Sequence, residues 1–359
     1  MSTVAQHLQA AWLGRGVLAW ALWPVSLVMG ALVWVRHQAY RRGWLSQHRL
    51  PVPVIVVGNR IVGGAGKTPS TLALLAHLRH RGWHPGVLSR GYGATGRAAD
   101  APPVLVDQNN ARPDVSLTGD EPLLIWRRSG APLAISADRV RGGHALLQRH
   151  PEVDILVCDD GLQHLRLARD LEIVVYDERG AGNGWLLPAG PLREPVDTPA
   201  SRGLKSPPIV LYNAPQASTH LPGHVSTSTL AQPVALAAWW GREVTAEPPA
   251  PSAVTADECW AMAGVAHPER FFSGLRAQGW RFTPLPLADH AVLDGELPWP
   301  ASLPHLLVTE KDAVKLQPER CARERPRTQI WVVGLDFQPA ATFWAALDAG
   351  LTRLRRPSH

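Results

Sequence analysis

The sequence predicts an α/β protein that combines a parallel-sheet domain, a second, smaller α/β domain and an N-terminal hydrophobic helix. Short apolar, β-branched segments alternate with helical segments along most of the chain, which is typical of a parallel sheet with crossover helices. A glycine-rich turn joins the first such strand, residues 54–57, to a helix. Residues 16–35 carry no charge and, as a helix, are long enough to cross or enter a bilayer.

The glycine-rich turn is the most informative stretch of the chain. Gly63, Gly64 and Gly66 allow a tight bend that directs successive backbone N–H groups at an anion, where the next helix begins. The strict phosphate-loop pattern requires glycine where this chain has Ile61, so a simple glycine-rich turn remains an alternative. The predicted P-loop-type nucleotide site comprises Ile61, Val62, Gly63, Gly64, Ala65, Gly66, Lys67 and Thr68, with Lys67 reaching outer phosphates and Thr68 holding Mg²⁺.

Two acidic pairs extend this prediction. The apolar residues 153–158 end in Asp159 and Asp160, the Walker B arrangement in which an aspartate holds Mg²⁺, although the same residues also suit a turn. Asp120 and Glu121 stand at the start of a predicted helix. There they could cap the helix, or a carboxylate could accept a proton from a substrate hydroxyl.

Basic and aromatic side chains are expected around the same crevice, because loops after parallel strands form the ligand site of an open sheet. Arg90 and Tyr92 follow the strand-like residues 86–89, although a surface arginine and a turn tyrosine would also explain them. Arg139 and Arg141 lie near a helix start, where cations oppose the helix dipole. Their placement is more easily explained by an anionic ligand.

The uncharged N-terminal stretch predicts association with a membrane. It contains three tryptophans that suit the headgroup boundary, and three arginines follow it between residues 36 and 42. Pro24 and Gly30 interrupt the stretch, so a segment lying in one leaflet competes with a spanning helix. A hydrophobic helix packed on the domain is a third interpretation.

Composition narrows the class of protein. The net charge of +6 comes from 36 basic residues, of which four are lysine and therefore 32 are arginine. Guanidinium groups suit phosphate recognition, but a GC-rich genome would produce the same bias. No basic stripe is interleaved with aromatics, so a nucleic-acid partner is not predicted. Three cysteines without C-x-x-C spacing argue against disulfides and zinc and favour a reducing, cytoplasmic setting.

The length of 359 residues allows two hydrophobic cores. We expect an N-terminal membrane-associating helix in residues 1–45 and a P-loop nucleotide-binding α/β domain in 46–200. Regular patterns fade over 201–258, which predicts a linker region, and resume in a C-terminal α/β domain over 259–359.

A series of short motifs runs in order across almost the whole chain. The motifs are Val57-Gly58-Asn59, residues 62–69, Ser89-Arg90-Gly91-Tyr92-Gly93, Gly119-Asp120-Glu121-Pro122, Asp159-Asp160-Gly161-Leu162-Gln163, Gly190-Pro191-Leu192-Arg193-Glu194, residues 267–272, Asp289-His290 and Thr309-Glu310-Lys311-Asp312. In this combination and order the chain resembles the tetraacyldisaccharide 4′-kinase family, the inner-membrane enzymes of lipid A synthesis.

The resemblance implies ATP-dependent phosphorylation of the 4′-hydroxyl of a tetraacylated glucosamine disaccharide 1-phosphate, with ATP and Mg²⁺ as cofactors. It implies two α/β domains around a cleft, with residues 16–35 docked on the cytoplasmic face of the inner membrane. The expected partners are the lipid substrate and the membrane surface, with no protein partner. Ala65, Leu162 and His267 stand where the family more often has Thr, Phe and Asn, which affects side-chain details only.

The resemblance also assigns roles to matching residues. Asp120 would be the base that activates the sugar hydroxyl, oriented by His290, a lone histidine that by itself would more often be structural. The remaining roles are Lys67, Thr68 and Arg193 for ATP phosphates, Thr68, Asp159, Asp160 and Glu121 for Mg²⁺, and Arg90, Tyr92, Arg139 and Arg141 for the acceptor.

Two other classes of function stay open. A membrane-associated P-loop NTPase that drives a partner would share the loop, the acidic pair and the N-terminal helix, and would hydrolyse ATP without lipid. A nucleotide-dependent nucleic-acid-binding protein is suggested by the net charge alone.

Overall fold

Two β-sheets form the framework of the chain in the computed structural model, which describes residues 11–91, 101–108, 114–204, 206–243 and 246–354. Within these residues one sheet has nine strands and the other has five. The strands of the first sheet are β1 (Val54–Gly58), β2 (Pro85–Ser89), β3 (Val104–Val106), β4 (Leu133–Ile135), β5 (Ile155–Asp159), β6 (Leu171–Asp177), β7 (Ile209–Asn213), β8 (His224–Leu230) and β14 (Leu335–Pro339). The strands of the second are β9 (Val234–Ala235), β10 (Cys259–Ala263), β11 (Thr283–Pro286), β12 (His305–Thr309) and β13 (Gln329–Val333).

Helices cover both sheets. They are α1 (Val17–Arg41), α2 (Lys67–His80), α3 (Val115–Thr118), α4 (Asp120–Ser129), α5 (Arg139–Arg149), α6 (Leu236–Trp239), α7 (Pro268–Ala277), α8 (Glu310–Ala313), α9 (Pro318–Glu324) and α10 (Ala341–Thr352), with a short 3₁₀ turn at Pro251–Ala253. Most of the predicted strands and helices are present within a few residues of their expected bounds, which confirms the α/β class.

The first sheet has the order β14-β8-β7-β6-β1-β5-β2-β4-β3. Its seven inner strands run parallel, and both edge strands run antiparallel to their neighbours. Ile55 and Val57 of β1 pack in the core on one face, and Val54 and Val56 pack on the other. Parallel strands end at the same edge, so the loop after β1 lies beside Asp159, which pairs with Val57.

The second sheet belongs to a domain inserted into the first. Residues 234–333, here the inserted domain, form the sheet β11-β10-β12-β13-β9, and the rest of the chain forms the main domain. We expected a linker over 201–258 and a C-terminal domain over 259–359. The structure instead places β7, β8 and β14 in the first sheet. Helix α10 follows β14 and contributes Leu347 to the core of the main domain. Only one residue of β8 is buried, so its strand pattern is weak.

Helix α1 lies on the main domain with most of its apolar surface exposed. Ser26 Oγ donates a hydrogen bond to the carbonyl of Leu186 over 2.8 Å and accepts one from the N–H of Ala189 over 3.0 Å. Trp20 packs edge-on against Trp185, with ring centroids 4.8 Å apart. By length and composition, α1 is the one helix in the described part of the chain that could cross a membrane.

Candidate active site

A cleft of about 2250 Å³ lies between the main domain and the inserted domain. The main domain lines it with residues 62–69 and the carboxyl end of β5. The inserted domain lines it with residues 265–267, 289–290 and 309–311, which follow the strands of the second sheet. The carboxyl ends of both parallel sheets therefore face one cleft, the place where such sheets bind ligands.

The glycine-rich loop has the backbone of an anion site. Gly63 and Gly66 have φ of 95° and 86°, the left-handed region that favours glycine. Gly66 is the N-cap of α2, and among the described residues no side chain caps that helix. Its first N–H groups can therefore bind a phosphate. Ile61 is buried against Leu192 and, unlike Val62 and the residues that follow, does not line the cleft.

Two predicted phosphate-binding cations lie beside one carboxylate at the cleft. Lys67 Nζ is 3.7 Å from Asp160 Oδ1, and Arg193 Nη1 is 3.3 Å from the same oxygen. Lys67 Nζ also donates to Asn59 Oδ1 over 3.4 Å. Thr68, the second residue of α2, lines the cleft next to them. Both cations are thus positioned where the loop would hold a chain of phosphates.

The acidic residues fit a divalent cation. Asp159 Oδ1 accepts a hydrogen bond from Thr71 over 2.7 Å, and burial together with Glu121 and Asp160 raises the pKa of Asp159 to about 7. A bound cation would relieve this accumulation of negative charge. In the described ranges, no three His, Cys, Asp or Glu side chains converge closely enough to hold a metal alone. The remaining ligands would be phosphate oxygens, water and Thr68, as is usual for Mg²⁺.

His290 and Asp120 meet from different domains. His290 Nδ1 lies 3.0 Å from Asp120 Oδ1, and this hydrogen bond raises the pKa of the imidazole. Burial disfavours the Asp120 anion, but the bond from His290 and the charge of Lys311 outweigh burial and lower its pKa. Asp120 is only 4% exposed and does not line the cleft, whereas His290 does. His290 also has a φ of 59°, a strained conformation often found at functional sites.

Lys311 of the inserted domain joins these groups. Its Nζ lies 3.1 Å from Glu121 Oε1, 3.1 Å from Asp289 Oδ1 and 3.3 Å from His290 Nε2. Burial disfavours the charged ammonium, but the surrounding carboxylates prevail and raise the pKa of Lys311. An ammonium group can only donate, so His290 Nε2 accepts from it and Nδ1–H points at Asp120.

The four residues expected to contact the acceptor are brought together only in part. Arg90 and Arg139 line the cleft. Arg139 is buried, and its Nη2 donates to the carbonyl of Asp160 over 3.3 Å. Arg141 is exposed and lies outside the cleft, because it stands two positions further around α5. Tyr92 lies outside the described residues.

The structure brings to the site polar residues for which the sequence analysis predicted no role. They are Asn59, Gln163, Lys311 and Lys315. Asn59 follows β1 and Lys311 follows β12, so their position at the carboxyl ends of parallel strands could have indicated them. Lys315 lies in the turn that follows α8, four positions after Lys311, and its Nζ is 3.7 Å from Asp120 Oδ2.

Comparisons with known proteins agree over nearly the whole chain. Residues 18–352 match the family model described as tetraacyldisaccharide-1-P 4′-kinase. A tetraacyldisaccharide 4′-kinase from Methylibium petroleiphilum is 52% identical over 96% of this chain and 92% of its own length. One from Leptothrix cholodnii is 50% identical over 99% and 98%. The crystal structure of an "apo" form of LpxK from Aquifex aeolicus in complex with ATP is 25% identical, with a TM-score of 0.75 over 94% of this chain and 99% of that one.

Proposed function

Because this chain belongs to the tetraacyldisaccharide-1-P 4′-kinase family, we propose that it transfers the γ-phosphate of ATP to the 4′-hydroxyl of a tetraacyldisaccharide 1-phosphate. It is a kinase of lipid A biosynthesis, a phosphotransferase with an alcohol as acceptor. The observation that carries the proposal is that the phosphate loop of the main domain and His290 of the inserted domain face one cleft. A donor nucleotide and an acceptor hydroxyl can therefore meet between them.

The donor side of the reaction depends on positioning and charge. The N–H groups at the start of α2 would bind the phosphates, while Lys67 and Arg193 exchange their contacts with Asp160 for contacts with phosphate oxygens. Thr68, Asp159, Asp160 and Glu121 would hold Mg²⁺, which offsets the charge of the phosphates when bound. Breaking the bond between the γ-phosphorus and its bridging oxygen then leaves ADP.

The acceptor side depends on the Asp120–His290 pair, with the roles exchanged relative to the sequence-based expectation. The oxygens of Asp120 are buried, whereas His290 is at the cleft surface. We therefore assign proton acceptance to His290 Nε2. The acceptor hydroxyl replaces Lys311 at this nitrogen, gives up its proton as the new O–P bond forms, and Asp120 stabilises the resulting imidazolium.

The lipid acceptor gives a reason for the exposed apolar surface of α1. Leu32 and Val28 are 63% and 61% exposed, and Trp20 and Trp34 are 54% and 59% exposed. Such a surface is unfavourable in water and suits the acyl region of a bilayer, with tryptophans at the headgroup level. We propose that α1 docks the enzyme on the cytoplasmic face of the inner membrane, where it meets its substrate.

Transfer of labelled γ-phosphate from Mg-ATP to the tetraacyldisaccharide 1-phosphate in detergent tests the proposal. We expect a product with a second phosphate, which is lost in Lys67→Ala because the loop then lacks its phosphate-binding cation. Phosphate released to water at the same rate with and without lipid would overturn the proposal in favour of an NTPase.

A further inference from the structure

We propose that the C-terminal end of α1 is part of the nucleotide site as well as of the membrane-docking surface. Arg36 and His37 hold Gln163 and Glu194, and these residues in turn hold the phosphate loop in the shape that binds ATP. The inference rests on the proposed function of the cleft. It predicts that ATP affinity depends on two residues of α1, of which Arg36 lines the cleft and His37 does not, so that His37 is the decisive position.

The first contacts join α1 to the edge of the cleft. Arg36 Nη2 donates to the carbonyl of Gln163 over 2.8 Å. His37 Nε2 lies 3.2 Å from Glu194 Oε2, and the side chains of His37 and Glu194 are only 15% and 3% exposed. A hydrogen bond between a ring N–H and a carboxylate at such a shielded place is stronger than one at the surface.

Glu194 and Gln163 form the next layer. Gln163 Nε2 donates to Glu194 Oε1 over 3.1 Å and to the carbonyl of Asn59 over 3.1 Å. Arg60 Nε lies 3.8 Å from Glu194 Oε1. The carboxylate of Glu194 therefore has partners on α1, on the segment after β5 and on the loop after β1. Removing one partner leaves a buried charge with less compensation, and the others must shift.

The last layer is the phosphate loop itself. Asn59 Nδ2 donates to the carbonyl of Gly63 over 3.2 Å, and Asn59 Oδ1 accepts from Lys67 over 3.4 Å. Asn59 thus fixes one glycine of the turn and the lysine that would bind phosphate. Arg193, adjacent to Glu194 in the chain, reaches Asp160 on the other side of the loop. Every step from His37 to Lys67 is a contact between described side chains or backbone groups.

This arrangement makes α1 and ATP thermodynamically linked. If an ordered α1 end favours the ATP-binding form of the loop, bound ATP must favour the ordered α1 end by the same factor. A helix that served only as a membrane anchor would show no such reciprocity.

The first test measures the affinity for a non-hydrolysable ATP analogue with Mg²⁺ by calorimetry, using the full chain in detergent without lipid. We expect Arg36→Ala and His37→Ala to bind the analogue about three- to tenfold more weakly, since the first loses a hydrogen bond from a guanidinium to a backbone carbonyl and the second loses one to a buried carboxylate. His37→Gln, whose amide can still donate to Glu194, should recover most of the affinity. The matched controls are Arg41→Ala and Trp34→Ala, which alter exposed side chains of the same helix and should stay within twofold of wild type.

Partition into vesicles of phosphatidylethanolamine and phosphatidylglycerol separates the two roles of α1. Trp34→Ala should reduce partition and His37→Ala should not. Unchanged analogue affinity in both Arg36→Ala and His37→Ala would overturn the inference. The inference would also be overturned if His37→Gln bound the analogue as weakly as His37→Ala while keeping the melting temperature of wild type.

Hydrogen exchange provides the reciprocal test. Saturating analogue should slow exchange of the amides of residues 33–41 in wild type and less so in His37→Ala. Failure of wild type to bind the analogue would contradict the proposed kinase function. Normal binding and transfer with no protection of residues 33–41 would contradict only the inference about α1.

Discussion

The Nδ1 atom of His290 lies 3.0 Å from Oδ1 of Asp120, and this hydrogen bond connects the inserted domain to the first residue of α4 in the main domain. The base that we propose and its partner therefore come from two domains. Lys311 reinforces the connection, because its ammonium contacts Glu121 of the main domain and Asp289 of its own. Separating the two domains would break these contacts.

We predict that His290→Ala and Asp120→Asn each reduce turnover by about 10²- to 10⁴-fold, the usual contribution of a general base and its partner. Affinity for Mg-ATP should change less than threefold, since neither side chain contacts the phosphate loop in the structure. Steady-state kinetics with the lipid acceptor and calorimetry with an ATP analogue measure the two effects. Near-normal turnover in His290→Ala would assign proton acceptance to another group.

Lys311→Met should raise the pKa of His290. In the wild type, Asp120 accepts from Nδ1–H, while the Lys311 ammonium lies 3.3 Å from Nε2 and its charge opposes protonation of that nitrogen. Without the ammonium, Nε2 can also be protonated beside Asp289, and ¹⁵N spectra of histidine-labelled protein should show the imidazolium persisting to higher pH. The His290 signals are assigned by their absence from the spectrum of His290→Gln.

Lys315→Met is the matched control for this prediction. Lys315 and Lys311 lie 3.7 and 3.9 Å from Asp120 Oδ2, so both place positive charge beside that carboxylate. Of the two lysines, Lys311 is the one whose Nζ lies 3.3 Å from His290 Nε2. An equal rise in the pKa of His290 in both variants would show that charge near Asp120, and not the contact with Nε2, opposes protonation of the ring.

The sequence predicted the donor half of the site better than the acceptor half. Asp159 and Lys67 each follow directly from a strand and the turn after it, so short-range patterns are sufficient. Lys311 contacts Glu121 only because the two domains pack against each other, and no spacing within the sequence indicates that contact. Strands β8 and β14 were missed for a related reason. They pair with each other although the inserted domain separates them in the chain, and each buries only one residue, so neither shows a continuous apolar run.

Gly66→Ala should destabilise the protein even without nucleotide. Its φ of 86° is unfavourable for alanine, and the added Cβ would overlap the side chain of Asn213. We expect a loss of about 1–3 kcal/mol, seen as a lower melting temperature. Gly64→Ala is the matched control, because its Cβ would meet only Ala266 at 3.9 Å. Equal melting temperatures for the two variants would contradict this account of the loop.

Asp159→Asn should stabilise the ligand-free protein at alkaline pH while weakening Mg²⁺ binding. Burial raises the pKa of Asp159 from 3.8 to about 7, so between these values the folded state holds more protons than the unfolded state. The free energy of unfolding of wild type therefore falls as pH rises from about 4 to about 7, and the Asn variant escapes this loss. The gain at pH 8 should not exceed about 4 kcal/mol, because the pKa shift is about three units and each unit is worth about 1.4 kcal/mol.

Melting temperatures measured with a chelator at pH 5 and pH 8 test the stability of Asp159→Asn. The advantage of the variant should be small at pH 5 and several degrees at pH 8. Adding Mg-ADP at pH 8 should reverse the order, because wild type gains binding energy from the cation and the variant gains less. Two outcomes would contradict this account. A variant less stable than wild type at both pH values would show that the ionised Asp159 does not destabilise the ligand-free protein. Equal stabilisation of both proteins by Mg-ADP would show that Asp159 does not bind the cation.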